Sequence, residues 1–198
     1  MIALLDTSES LEKCSEEIGH TCGQLLTPLT RFRLKSDVFA IDNGAYAGFD
    51  RVRWERVLQK NATNADKCLW VSLPDCVGSA IRTAELWDAY RYHPALHGYR
   101  KALVAQDGIE AMRIPWDEID AIFIGGSTVW KLGRHAAEVI STAHAMGKKT
   151  HVGRVNTPSR WRHFERLGVH TCDGTGISRY RHMRVAIKNR YNQMELEL

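Results

Sequence analysis

The chain has 198 residues, 44% hydrophobic and 25% charged, with a formal net charge of +4 at pH 7. That length supports one full domain with its own core and is too short for two comfortable ones, so residues 1–198 are expected to form a single domain. No apolar run approaches the ~20 residues that span a bilayer, and Met1-Ile-Ala-Leu-Leu meets Asp6 before it could act as a signal-peptide core; no membrane partner and a cytoplasmic location are expected.

The predicted elements alternate. Ile2-Ala-Leu-Leu reads as a buried strand, with Asp6-Thr7-Ser8 as a following helix cap, and Leu11 to His20 is helix-compatible with Gly23 as its stop. Val38-Phe-Ala-Ile is a second strand and delivers Asp42-Asn43-Gly44-Ala45-Tyr46 at its end; Asp50 and Trp54 then open an amphipathic helix with Val57 and Leu58 on one side. Leu69-Trp-Val-Ser-Leu precedes Pro74-Asp75-Cys76. The helix from Ser79 to Tyr92 has Ile81, Ala84, Leu86 and Trp87 as candidate inward residues, and Pro94 ends it.

Ala102-Leu-Val-Ala ends in Gln106-Asp107-Gly108, and Ala121-Ile-Phe-Ile ends in Gly125-Gly126-Ser127-Thr128. A helix then carries Ala136, Val139, Ile140 and Ala143 up to Gly147. Thr150-His-Val-Gly is the sixth strand. Thr157 or Ser159 caps a helix through Trp161, Phe164 and Leu167 that stops at Gly168, and Val169 to Cys172 is the seventh strand, delivering Asp173 into Gly-Thr-Gly. Seven short apolar strands alternating with helices predict a parallel sheet covered on both faces, which a barrel and an open doubly wound sheet satisfy equally. The length is short for a complete eight-fold barrel, for which ~250 residues is typical.

In either architecture the strand ends converge, so Asp42, Asp75, Gln106, Gly125, Gly126, Arg154 and Asp173 are candidates for one pocket. Three carboxylates, an amide and a bare backbone loop suit glycosidic chemistry on a nucleoside: one carboxylate attacks C1′ while another moves the proton of the base. They also suit a guanine-like base, with a carboxylate accepting from the ring N–H and exocyclic amine while the Gln amide and loop N–H groups meet the carbonyl and ring nitrogen. Several carboxylates equally suit Mg²⁺ or Mn²⁺, and residue types alone do not separate these uses. Lys131 and Arg154 are candidate phosphate or base contacts. Trp130 and Trp161 are expected in the core rather than stacked on a base, and His151 and His170 are expected there too.

The five cysteines form no C-x-x-C pair, and Cys14, His20 and Cys22 lack a fourth ligand for zinc. Two basic clusters, Arg31, Arg33 and Lys35, then Arg179, Arg181, Arg184, Lys188 and Arg190, suit a polyanion only in combination with other signals.

Six motifs in order, D-N-G-A-Y at Asp42, P-D-C at Asp75, V-A-Q-D-G at Gln106, G-G-S-T-V-W-K at Gly125, V-G-R-V-N-T-P at Gly153 and D-G-T at Asp173, resemble the tRNA-guanine transglycosylase superfamily. They are most similar to its phage-type branch, the 7-deazaguanine DNA transglycosylases. The resemblance spans about Asp42 to Asp173 and implies a compact TIM-barrel-like fold with one or more strand-helix units reduced. It implies Asp173 as nucleophile, Asp42 as general base or acid, and Asp75, Gln106 and the Gly125-Gly126 loop as base-recognition groups. It further implies DNA and a free 7-deazaguanine as partners, no cofactor, and is compatible with a homodimer. The family's tRNA enzymes carry a cysteine-rich zinc subdomain after the nucleophile that this sequence lacks, which makes tRNA the less expected substrate. The alternatives are the same exchange on tRNA, a catalytically silent nucleic-acid-binding subunit, and a metal-dependent barrel hydrolase.

Overall fold

The computed structural model describes residues 1–30 and 32–195, with side chains as far as residue 189. Eight parallel strands close into a barrel in sequence order: β1 (Ile2–Leu5), β2 (Cys22–Leu26), β3 (Phe39–Ile41), β4 (Cys68–Ser72), β5 (Lys101–Ala105), β6 (Ala121–Ile124), β7 (Lys149–Val152) and β8 (Thr171–Asp173), with β8 pairing back onto β1. The fold is therefore a TIM-barrel-like α/β barrel, and the open-sheet alternative is excluded by closure.

The strand missing from the sequence reading is β2. Helix α1 (Leu11–Ile18) is capped at its start by Ser10 and ends at Gly19, whose φ of +75° is the left-handed conformation glycine adopts without cost. Gly23, expected as the helix stop, lies instead inside β2, where an added Cβ would sit 2.6 Å from the Val38 carbonyl oxygen. Its neighbour Gln24 is buried and bridges the chain ahead, Nε2 donating to the Arg33 carbonyl and Oε1 accepting from Lys35 N–H.

The helices fall where the caps put them. Asp50 caps α2 (Arg51–Lys60), Ser79 caps α3 (Ala80–Tyr90), and Thr157 caps α6 (Pro158–Arg166) with Pro158 in the first turn. Helix α3 buries Ala80, Thr83 and Trp87, whereas Ile81, expected inward, is exposed. Between them lie α4 (Thr128–Lys131) and α5 (Arg134–Ala145), the latter burying Ala136, Val139, Ile140 and Ala143 as its spacing predicts. The chain closes with α7 (Thr175–Arg179) and α8 (Arg181–Glu195). What is reduced is the outer layer: among the described residues no helix joins β2 to β3, and only a 3₁₀ turn, Ile109–Ala111, joins β5 to β6. All eight strands therefore fit in a short chain.

Two apolar clusters divide the interior. The larger lies between strands and helices and includes Trp54, Trp130, Trp161 and Phe164; the smaller, with Leu4, Leu25, Ala40, Trp70, Ala102 and Ala121, fills the barrel itself. Trp70 takes the space that the three alanines leave, its ring 4.5 Å from His151 and 5.6 Å from Phe123, centroid to centroid. Among the described residues no helix is long and apolar enough to cross a membrane.

Helix α8 is held by ions rather than by apolar contact alone. Arg184 is fully buried; its Nε donates to Glu17 Oε2 at 2.7 Å, Nη2 to both oxygens of Glu9 at 3.1–3.2 Å, and Nη1 to the Ile177 carbonyl at 2.9 Å. The second basic cluster is thus partly structural. Arg181 also pairs with Glu17, and Lys188 donates to the Glu16 carbonyl; Lys35 of the first cluster donates to the Thr7 and Glu9 carbonyls. Arg31 and the side chain of Arg190 lie outside the described residues.

Removing one partner of a buried pair strands the other charge. Arg184→Met is expected to lower unfolding free energy by about 3 kcal/mol, measured by urea denaturation; a loss below about 0.5 kcal/mol would show that Arg181 alone satisfies Glu17.

Candidate functional site

Side chains alternate along a strand, so the residue two positions after an inward one also faces inward, one layer nearer the C-terminal rim. Leu4, Leu25, Ala40, Val104, Phe123, His151 and Thr171 are followed at that spacing by Asp6, Thr27, Asp42, Gln106, Gly125, Gly153 and Asp173. All seven of these rim positions line a single cavity of about 340 Å³, with Leu25, Val104 and Phe123 at its base. Asp75, Arg154, Tyr46, Leu29, Thr30 and Val77 contribute from the segments that follow the strands, and Arg179 from the end of α7.

The predicted carboxylates therefore meet, and a fourth joins them. Asp6, read from sequence as part of a helix cap, faces the cavity with Oδ1 accepting from Thr30 Oγ1 at 2.9 Å. The signal was the same one that marked Asp42 and Asp173: a carboxylate immediately past an apolar strand.

Asp42 Oδ1 accepts from Ser72 Oγ at 3.1 Å and Oδ2 from Gly44 N–H at 3.1 Å. Burial, then the charge of Asp173, then that of Asp75 push its carboxyl up to about 7, so it exchanges a proton near neutrality. Between β3 and β4 the register slips, Phe39 pairing with Cys68 but Ile41 with Val71; this irregularity lies beside Ser72, as bulges often do near a site.

Asp75 is held by two amides: Asn43 Nδ2 donates to Oδ1 at 2.8 Å and Gln106 Nε2 to Oδ2 at 2.7 Å. Gln106 is itself oriented by Gly78 N–H, which donates to Oε1 at 2.9 Å. Burial still raises the Asp75 carboxyl above the ordinary range. Asn43, not singled out from sequence, is buried and also donates to the Leu73 carbonyl.

Asp173 Oδ1 accepts from the backbone N–H of Arg154 at 2.9 Å, and the side chain keeps 22% of its surface exposed, so a substrate can reach it. Behind it stands His151, fully buried, with Nε2 3.5 Å from the same oxygen and Nδ1 2.9 Å from Thr171 Oγ1. Burial lowers the His151 pKa and keeps the ring neutral near pH 7. His151 is a core residue, as expected, and also a neighbour of the nucleophile candidate, which sequence alone did not indicate.

Among the described residues, Arg154 is the non-glycine residue with positive φ, +63°. That strained turn aims its N–H at Asp173 while its guanidinium folds back, Nη2 donating to the carbonyls of Gly125 and Gly126. The guanidinium carbon lies 5.1 Å from the centre of the Tyr46 ring, which is 73% exposed at the cavity mouth.

Two expectations need correction. Lys131 is 3% exposed and lies behind the wall, its Nζ donating to the Gly153 carbonyl, so it is placed to shape the loop and not to contact substrate; burial and Arg154 push its pKa down to about 7. Gly126 does not line the cavity, and the N–H groups of both Gly125 and Gly126 donate to the Ala105 carbonyl, so the loop offers no free amide pair to a base. These glycines serve close packing: a Cβ on Gly125 would lie 2.6 Å from Val104 Cγ1 and 2.9 Å from Gln106 Nε2, and one on Gly126 2.5 Å from Asp107 Oδ2. Trp130 and Trp161 are both buried in the outer core, as expected.

Among the described residues, the grouping that brings three metal-ligating atoms within 4.8 Å of one another is Glu9, Cys14 and Glu17. That space belongs to the Arg184 guanidinium described above. Cys14, His20 and Cys22 do not form such a group; Cys22 Sγ contacts the His20 carbonyl.

No family model and no curated protein matches the chain. Solved structures similar to it include one described as native KDPGal, at 12% identity and TM-score 0.46, covering 100% of this chain and 96% of that one. A designed cube-shaped protein cage of fused symmetric oligomeric domains matches at 10% identity and TM-score 0.47, covering 99% and 73%. A protein from Agrobacterium tumefaciens named for glycerophosphoryl diester phosphodiesterase activity matches at 12% identity and TM-score 0.44, covering 79% and 59%.

The raised pKa of Asp42 has a testable sign. Between the ordinary carboxyl value of 3.8 and about 7 the folded protein keeps a proton that the unfolded chain loses, so this group's contribution to stability falls as pH rises through that window. Asp42→Asn is always neutral. Since the cavity gives the carboxyl some solvent, the variant is expected to be more stable than wild type by about 1–3 kcal/mol at pH 8 and equal to it near pH 4, by thermal melts at both values. A constant difference at the two pH values would contradict the assignment.

Proposed function

We propose that the protein is a base-exchange transglycosylase that replaces guanine in DNA with a 7-deazaguanine through a covalent intermediate on Asp173. The observation that carries this reading is the pairing, in one cavity, of a reachable carboxylate with a carboxyl that titrates near 7, beside an amide-held carboxylate suited to a guanine edge. Environments that drive neighbouring carboxyls to different roles are the mark of acid–base and nucleophile assignments.

The chemistry balances with the residues present. An Asp173 oxygen bonds to C1′ as the C1′–N9 bond breaks, and the departing base takes a proton from Asp42. The arriving 7-deazaguanine gives its N9 proton to Asp42, bonds to C1′ and releases the Asp173 carboxylate. Asp75 accepts from N1–H and the exocyclic amine, and the second N–H of Gln106 Nε2 is available to O6. Asp6 and the threonines at positions 27 and 30 line the side of the cavity left for the sugar.

C1′ is inaccessible to in-line attack within stacked DNA, so the nucleotide must be extruded. Leu29, Tyr46 and Val77 are exposed at the cavity and Arg179 lines it, giving apolar and cationic groups where an extruded nucleotide enters. Tyr46 has a free face for stacking, worth about 1–3 kcal/mol per base. The similarity to the phage-type branch supports DNA over tRNA.

Incubation with labelled 7-cyano-7-deazaguanine and equal amounts of duplex DNA and tRNA tests this directly. Label is expected in DNA, with a denaturation-resistant protein–DNA adduct; Asp173→Ala should abolish both, and Asp42→Asn should slow exchange by about 10²–10⁴-fold. Label in tRNA alone would move the substrate assignment. DNA binding with no label and no adduct would leave a silent binding subunit, and inactivation by EDTA would favour the metal hydrolase.

A further inference from the structure

Asp173 offers two oxygens to a substrate, and their surroundings differ. Oδ1 accepts from Arg154 N–H at 2.9 Å, faces His151 Nε2 at 3.5 Å, and lies so close to Gly153 that an added Cβ there would stand 3.2 Å from it. Among the described residues no hydrogen bond engages Oδ2, and 22% of the side chain stays exposed where it lines the cavity.

His151 approaches Oδ1 from the barrel interior. Its ring is fully buried, 4.5 Å from the Trp70 ring and 4.4 Å from the Phe123 ring between centroids, and a polar ring is costly there unless its nitrogens are paired. Thr171 Oγ1 lies 2.9 Å from Nδ1; among the described residues Nε2 has no closer polar neighbour than Asp173 Oδ1. A hydroxyl serves either tautomer, but a carboxylate only accepts, so the nitrogen facing it carries the hydrogen. Burial keeps the ring neutral, with a single N–H, which makes Nδ1 an acceptor and the Thr171 hydroxyl its donor. The other charged groups near Asp173 do not hold it by a side-chain hydrogen bond. Lys131 is engaged by the Gly153 carbonyl, the Arg154 guanidinium by the Gly125 and Gly126 carbonyls, and Asp42 and Asp6 carry its own sign. The contact of 3.5 Å is long, as catalytic hydrogen bonds in free enzymes often are before substrate tightens them.

We infer that His151 is the positioning residue of the nucleophile: held by Thr171 with its hydrogen on Nε2, it clamps Oδ1 together with Arg154 N–H and leaves Oδ2 to bond to C1′. On the base-exchange reading, on which this inference rests, Oδ2 supplies the electron pair of the new bond while the C1′–N9 pair leaves with the base. Oδ1 becomes the carbonyl oxygen of the glycosyl ester. Both donors stay on it, and His151 neither gains nor loses a proton. When N9 of the incoming base displaces Oδ2, negative charge returns to a carboxylate whose donors are already in place. The clamp also stops the carboxylate from turning, and a misplacement of about 1 Å can cost roughly 10²-fold in rate.

Long-range proton–nitrogen NMR of the free protein reads the tautomer without substrate, with His151→Gln identifying the signals. The Nε2–H form is expected in wild type; the Nδ1–H form overturns the inference whatever the activity. Exchange kinetics with duplex DNA and labelled 7-cyano-7-deazaguanine read the function. His151→Leu fills the space without a donor and should lower kcat about 10–100-fold while KM stays within about two-fold. His151→Gln, whose Nε2 can donate to Oδ1, should recover kcat to within about five-fold of wild type. A histidine that only packs the barrel predicts the reverse order, with leucine the better replacement. Unchanged kcat in His151→Leu, or His151→Gln no more active than His151→Leu, overturns the inference and leaves the base-exchange reading intact; wild type without exchange overturns both. Should His151→Leu fail to fold, His151→Met, a flexible apolar filler without a donor, takes its place under the same expectations.

Discussion

Carboxylates from the ends of β1, β3 and β8 and from the loop after β4 share one half-enclosed space, and like charges held that closely in poor solvent cannot all stay ionised. The structure distributes the burden unequally. Asp75 is given two amide donors and Asp173 a backbone N–H, while Asp42 and Asp6 rely on hydroxyls and, for Asp42, one glycine amide. Asp42, on which burial and the charge of Asp173 act together, is pushed up to about 7, and a resident proton at a shared cavity is what acid–base chemistry needs.

Much of this was legible in the sequence because barrel strands are short and apolar and their ends are not. Seven of the eight strands announce themselves as β-rich runs; Asp42, Gln106 and Asp173 each follow one at the spacing that period-two alternation turns inward, and Asp75 follows β4 from the loop. β2 escaped because Cys22-Gly-Gln-Leu-Leu carries a glycine and an amide where a buried strand is expected to be apolar. Both have structural reasons that only tertiary contact supplies: Gly23 admits the chain at Val38, and Gln24 ties down the segment that replaces a crossover helix. Ile81 was expected inward and is exposed, while the buried face of α3 includes Thr83, because the face a helix buries is set by how it packs on the barrel, which no local pattern encodes.

Charges were the least readable. Arg184 looked like its exposed neighbours and proved to be the buried counter-ion of two glutamates more than 160 residues away in sequence. Lys131 and Arg154 looked like phosphate contacts, yet both turn inward to satisfy carbonyls of the loops after β6 and β7. In each case the deciding fact is a backbone acceptor, and backbone acceptors leave no trace in composition. Arg154 in particular joins three functions in one residue: its N–H steadies the nucleophile candidate, its side chain braces the glycine loop, and its charge colours the wall between them.

Asp6 comes from the first strand and Asp173 from the last, and they become neighbours only when β8 docks on β1. The closure joins residues about as far apart along the chain as any contact here, and α8 then clamps it through Glu9 and Glu17. The carboxylate cluster is therefore completed by the last strand of the barrel to leave the ribosome, and the cavity has its full wall only in the closed sheet.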